Sequence, residues 1–116
     1  MATSVLIVDD HPSFRASARM LLECEGFDVV GEAEDGMGGL EAVERLHPDV
    51  VLLDVQLPDI NGFEVAARLT ENGSSPAIVL TSSRDVEDLG VLAGRDGVRG
   101  FIPTSELSGS ALEALL

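Results

Sequence analysis

Four consecutive aliphatic residues, Val50-Val51-Leu52-Leu53, stop at a carboxylate, Asp54. A strand with one face in water alternates polar and apolar side chains. A run with no polar member needs cover on both faces, as the strands of a parallel sheet have. Asp54 then falls at the carboxyl end of its strand, where ligands and chemistry gather in open parallel sheets. Aspartate is also an ordinary turn residue, so a plain loop cap is the alternative. A second run, Val5-Leu6-Ile7-Val8, ends in Asp9 and Asp10 and weighs against that alternative.

Around these two runs the chain alternates between strand and helix patterns. After Val5–Val8, Pro12 suits the first turn of a helix, with Asp10 or His11 as its cap. Phe14, Ala18, Leu21 and Leu22 recur at helical spacing, and Gly26 stops that helix. A second strand is predicted over Phe27 to Gly31, followed by an acidic loop, Glu32 to Gly36. Met37, Leu40, Val43 and Leu46 predict the buried stripe of a second helix, broken at His47-Pro48. The central strand runs from Asp49 to Leu53, and Phe63, Ala66, Ala67 and Leu69 mark a third helix. Asn72 to Pro76 is a turn cluster. A fourth strand, Ala77 to Leu80, leads into Thr81-Ser82-Ser83. Asp85 to Arg95 predicts a fourth helix, interrupted by Gly90 and Gly94. Val98 to Ile102 is the last strand, and Glu106 to Leu116 the last helix.

Five strands alternating with five helices require right-handed crossovers and hence a parallel sheet covered on both faces. The predicted fold class is α/β: a flavodoxin-like, doubly wound five-stranded sheet of order 2-1-3-4-5. One domain over residues 1–116 accounts for the whole chain, which is long enough for a core without disulfides.

Charge narrows the functions. The chain has 21 acidic residues against seven arginines, no lysine, and a net charge of −14. That surface repels phosphates, so direct nucleic-acid binding by this chain is excluded as an expectation. Tryptophan and tyrosine are absent, which removes an aromatic platform for bases. Cations or a partner with a basic face suit the charge better. The single Cys24 precludes an internal disulfide and fits a reducing compartment. Its apolar neighbours predict a buried thiol. No apolar run approaches the roughly 18 residues of a membrane span, and no basic leader precedes the first strand. The expected setting is the cytoplasm, away from membranes.

In the 2-1-3-4-5 order the first and third strands are neighbours, so Asp9, Asp10 and Asp54 share one pocket at the switch point. Carboxylates that close raise one another's pKa unless a cation intervenes. A hard divalent ion resolves this, and Mg2+ fits a half-open set of carboxylates, a carbonyl and water. A carboxylate that attacks phosphorus forms an acyl phosphate, and Thr81, at the end of the fourth strand, is placed to donate its hydroxyl to a phosphoryl oxygen.

These residues resemble the receiver domain of bacterial two-component response regulators over essentially the whole chain. The resemblance rests on Asp9-Asp10 after strand one and on Asp54-Val55-Gln56-Leu57-Pro58 with Gly62 beyond it. Thr81-Ser82 after strand four and Gly100-Phe101-Ile102 in strand five complete it. It implies that Asp54 is the phosphoacceptor, with slow self-phosphorylation and self-dephosphorylation at most, rather than an enzyme's catalytic group. It implies Mg2+ bound by Asp10, Asp54 and the Gln56 backbone carbonyl, with Asp9 acting through water. Thr81 would follow the phosphoryl group, Ser82 would leave it room, and Phe101 would hold the aromatic switch position. Gln56 and Ser83 would tune dephosphorylation. The implied partners are a sensor histidine kinase and an output domain or partner protein, read through the face of helix four, strand five and helix five. A homodimer is a further assembly of this kind. Asp9-Asp10-His11-Pro12 and the Gly-Phe-Ile-Pro ending resemble regulators with a helix-turn-helix DNA-binding output.

One departure matters. The family pattern has a phosphoryl-pairing lysine shortly after strand five, and here that place is Thr104. A charge pair at ~4 Å and an effective dielectric of ~20 is worth about 4 kcal/mol before desolvation. Arg84 is the nearest candidate substitute, against a plain solvated charge. The missing lysine motivates a second reading, a degenerate receiver that acts as a phosphorylation-independent interaction module. A third, a phosphatase of the haloacid-dehalogenase type, needs a second aspartate where this chain has Gln56. The histidines are read as helix-end residues, His11 as a cap and His47 on the helix dipole.

Overall fold

The computed structural model describes residues 2–71, 76–82 and 98–116. The predicted fourth helix, Ser83 and Arg84 lie outside the described residues. In chain order the elements are β1 (Ser4–Val8), α1 (Pro12–Cys24), β2 (Asp28–Ala33), α2 (Gly36–Leu46) and β3 (Val50–Asp54). They are followed by α3 (Gly62–Glu71), β4 (Ala77–Ser82), β5 (Val98–Pro103), a 3-10 turn (Thr104–Glu106) and a C-terminal helix (Gly109–Ala114). The strands form one parallel sheet in the order β2-β1-β3-β4-β5, as the alternation predicts. Among the described residues no helix is long and apolar enough to cross a membrane.

The sheet divides the core in two, because successive strand side chains point to opposite faces. Leu6, Val8, Val51, Leu53, Ile78 and Leu80 pack with Ala42 and Val43 of α2 and Val65, Ala66 and Leu69 of α3. Val5, Ile7, Val50, Leu52, Val79 and Ile102 pack on the other face with Ala18 and Leu22 of α1 and Leu112 of the C-terminal helix. All five residues of β3 are buried, which is why its sequence has no apolar–polar alternation.

Several expectations are corrected. Strand β2 starts and ends later than predicted and absorbs Glu32 and Ala33 from the supposed acidic loop. Met37 is 53% exposed, and the buried face of α2 is Gly36, Gly39, Ala42 and Val43. The helix lies so close to β1 that a Cβ at Gly39 would stand 3.0 Å from a Val8 methyl. Small residues therefore share the inward side with Val43, Leu40 and Leu46, which were expected there, and only Met37 of the predicted stripe turns outward. In α3 the buried face includes Val65, while Ala67 is exposed. Cys24 is exposed: the last turn of α1 packs on the core through Leu21 and Leu22, and Cys24, two residues on, lies on the other side of the helix. The C-terminal helix is shorter than predicted and starts after Ser108, whose side chain accepts a hydrogen bond from the Ala111 N–H.

Candidate functional site

Chain direction brings the acids together. β1 and β3 are parallel neighbours, with Val8 opposite Leu53. The residues that follow, Asp9 and Asp10 on one strand and Asp54 on the other, therefore emerge at the same sheet edge. Each of Asp9, Asp10, His11 and Asp54 offers one ligand atom, and these atoms all lie within 4.8 Å of one another. Asp9 and Asp54 are buried, at 2% and 5% exposure, while Asp10 and His11 are exposed.

The turn after β1 is fixed by hydrogen bonds. The Asp9 N–H donates to the Ala33 carbonyl at 3.0 Å. Asp9 Oδ1 accepts from the His11 N–H at 2.8 Å and meets His11 Nδ1 at 2.9 Å. The same Nδ1 lies 3.1 Å from Asp10 Oδ1. His11 does occupy the cap position of α1, but its side chain caps no N–H; its ring faces the acids instead. The hydrogen bond to Asp9, then the charges of Asp10 and Asp9, raise the His11 pKa.

Asp54 Oδ1 accepts a hydrogen bond from the Gln56 N–H at 3.2 Å. Burial is the main cause that pushes the Asp54 pKa up to about 6. The Gln56 N–H works against the rise, Asp9 and Asp10 add to it, and His11 opposes it. A hard cation relieves this frustration, and the donor set of carboxylate oxygens suits one.

Thr81 lies opposite Asp54 in the β3–β4 register and is 1% exposed. Its Oγ1 is buried without a hydrogen-bond partner among the described residues. An orphaned buried hydroxyl costs about 1–3 kcal/mol. Ser82 is likewise buried and pairs in register with Pro103. Phe101 is half-buried against the α2–α3 side of the core. Thr104 begins the 3-10 turn directly after β5.

The loop after β3 is held by Gly62 and Asp59. The Gly62 N–H donates to the Val55 carbonyl at 2.8 Å, and a Cβ there would overlap the Asp54 carbonyl oxygen. Asp59 accepts from the Gly36 N–H at 2.8 Å and the Met37 N–H at 2.9 Å, tying the loop to the start of α2. Those bonds, the Met37 one foremost, lower the Asp59 pKa. A lowered carboxyl stabilises the fold above its unfolded pKa, and the contribution disappears as pH falls through the folded value. Asp59→Ala is thus expected to lower Tm at pH 7 and to lower it less as the pH falls below the free carboxyl's 3.8. A loss that does not shrink on acidification would refute the carboxylate's role.

Sequence reading missed three members of this site: His11 within the acid cluster, Asp59, and Arg15, which donates to the Asp9 carbonyl at 2.6 Å. The dipeptides around them gave local turn and cap signals only. For Asp59 the partners lie over twenty residues away, beyond the reach of any spacing rule.

The response regulator receiver domain family matches residues 5–106. The chain is 37% identical over 100 residues to the nitrate/nitrite response regulator NarL of Escherichia coli, a match covering 85% of this chain and 46% of that protein. It is 41% identical over 100 residues to the DNA-binding response regulator MtrA of Mycolicibacterium smegmatis, covering 83% and 42%. The chain thus spans about half the length of the curated relatives it matches, or less. The signal receiver domain of the response regulator NarL from Mycobacterium tuberculosis superposes with a TM-score of 0.86 at 31% identity, covering 98% of this chain and 96% of that one. Receiver domains of this family are signalling phosphoacceptors and not themselves enzymes. With its sheet order, its strand-end acids and a match over most of its length, the chain belongs to the response regulator receiver domains of two-component signalling.

Proposed function

We propose that this chain is a receiver unit, residues 1–116, whose Asp54 accepts a phosphoryl group from a sensor histidine kinase in a Mg2+-dependent step. The observation that carries the proposal is the convergence of Asp9, Asp10 and Asp54 beside the buried Thr81 hydroxyl, which has no hydrogen-bond partner among the described residues. Asp10, Asp54 and the Gln56 carbonyl would hold Mg2+, with Asp9 acting through water. The ion would neutralise charge on the phosphoryl oxygens.

The chain's own residues do the rest. With its pKa near 6, Asp54 is ionised at neutral pH and acts as the nucleophile. Its oxygen bonds to phosphorus as the bond from phosphorus to the donor imidazole breaks, and the freed imidazole takes a proton. The product is an acyl phosphate. The Thr81 hydroxyl then gains an acceptor in a phosphoryl oxygen, which offsets the cost of burying it unpaired. Ser82, small and buried, leaves room for the group. Movement at Thr81 shifts the population of two states, and Phe101 on β5 transmits it to the face that an output domain or a second copy reads. By analogy with its relatives the output is transcriptional and cytoplasmic, through a domain other than this one.

Thr104 favours a second reading. Without the lysine, phosphoryl transfer persists but its coupling to conformation weakens, and at the limit the domain is an interaction module. Arg84 remains the proposed substitute cation. Intact mass after incubation with Mg2+ and acetyl phosphate tests the proposal. One added phosphoryl group on the parent and none on Asp54→Ala is the expected result. No addition to the parent, under conditions that modify an ordinary receiver, would favour the interaction module.

A further inference from the structure

We infer that Arg15 is a positioning residue for the cation site: it holds the Asp9 main-chain carbonyl and through it sets the Asp9 and Asp10 carboxylates where a divalent ion is received. The inference rests on the metal-site reading above and adds to it a residue outside the acid cluster.

Arg15 stands on α1, its N–H bonded to the His11 carbonyl at 3.1 Å. Its Nη1 donates to the Asp9 carbonyl at 2.6 Å, a short charge-assisted bond. Its Nε faces Glu32 Oε1 at 3.3 Å, and the side chain is only 16% exposed. Glu32 is itself anchored, since its Oε2 takes Arg19 Nε at 2.7 Å. The guanidinium is therefore fixed between β2 and the acid turn. Among the described residues it is the one arginine bonded to that turn.

Asp9 is thus held at three points. Its N–H goes to Ala33, its carbonyl to Arg15, and its carboxylate to His11. Only the Arg15 bond spans from the turn to a separate, charged side-chain network. Arg15 acts on the place of the acids, through the Asp9 carbonyl that it holds. Magnesium demands near-octahedral geometry, so a small rotation of the Asp9–Asp10 peptide, freed by loss of the carbonyl contact, misplaces both carboxylates. Groups that orient metal ligands cost 10–100-fold in affinity when removed. An ordinary surface ion pair between Arg15 and Glu32 would leave metal affinity untouched.

The test is a Mg2+ titration of the full chain at 25 °C, followed by the amide NMR shifts of Asp9, Asp10 and Gln56. Arg15→Gln and Arg15→Met are expected to bind Mg2+ about tenfold more weakly while their far-UV circular dichroism stays that of the parent. Arg15→Lys, which keeps a charged donor, is expected to recover most of the affinity. Glu32→Gln, which leaves the carbonyl contact in place, should lose less than Arg15→Gln. Parental affinity in folded Arg15→Gln and Arg15→Met overturns the inference, and so does failure of both to fold, which would make Arg15 a folding residue. A parent that shows no Mg2+ response, or one that survives Asp10→Asn, refutes the metal site itself and is told apart by those arms.

Discussion

Asp54→Asn is expected to make the metal-free protein more stable at neutral pH, by up to about 3 kcal/mol, while abolishing phosphorylation. The Asp54 carboxyl is buried and its pKa stands at about 6 against 3.8 for the free group. Between those values the folded state binds more protons than the unfolded one. Stability from this group is therefore fully present below about pH 4 and is lost as pH rises through about 6. At pH 7 the folded protein carries the whole penalty of an ionised carboxylate in a poor site, and a shift of this size corresponds to about 3 kcal/mol. The isosteric amide does not ionise. Urea unfolding of parent and variant in EDTA, from pH 4 to 7.5, isolates the effect, because the other acids cancel in the difference. The gap between the two should widen as pH rises and close near pH 4. Parallel profiles, or a variant weaker at pH 7, would show that Asp54 is not the strained group. The same destabilised carboxylate is what a divalent cation would relieve, so Mg2+ should stabilise the parent and not the variant.

Gly62→Val is expected to cost about 3 kcal/mol or more and to impair phosphorylation at Asp54 in whatever protein remains folded. A side chain at Gly62 would overlap the Asp54 carbonyl and crowd the Val55 Cα, both main-chain atoms that cannot swing away as a flexible side chain would. Relief requires the β3–α3 loop to lift, and that loop carries the Gln56 N–H that holds the Asp54 carboxylate. Chemical denaturation gives the stability loss, and intact mass after acetyl phosphate treatment gives the functional one. A folded variant of parental stability would mean that the loop yields freely and that the close approach has no structural role. Gly62→Ala should show the same effects in weaker form.

Sequence alone determined the α/β class, the parallel sheet and the strand-end acids, while the order 2-1-3-4-5 was the expectation for a flavodoxin-like sheet. Those follow from local signals: runs too apolar to face water, glycine and proline at the breaks, and the handedness of crossovers. The runs Val5–Val8 and Val50–Leu53 were legible because strands covered on both faces need no polar partner. With both strands placed side by side, Asp9, Asp10 and Asp54 had to converge. Helix faces were read less well. Of the α2 stripe, Val43 is buried and Leu40 and Leu46 pack against the core as expected, but Met37 faces solvent and Gly36, Gly39 and Ala42 join the buried face. Which face turns inward depends on how closely a helix approaches its sheet, a property of the packed pair. Cys24 was misjudged because its apolar neighbours Leu21 and Leu22 take the inward side of the helix and leave it outward.

Only the tertiary structure decided what surrounds the acids. Arg15 on the Asp9 carbonyl, His11 between two carboxylates and Asp59 on the start of α2 are hydrogen bonds set by where loops meet. The pKa of Asp54 belongs to the same class. Its ordinary value is fixed by chemistry, but burial lifts it to about 6, and burial exists only once α/β layers close over the strand end. The sequence named the nucleophile that the proposed function uses, and the packed fold set its charge, because local pattern fixes direction along the chain while desolvation and long-range hydrogen bonds arise only between segments.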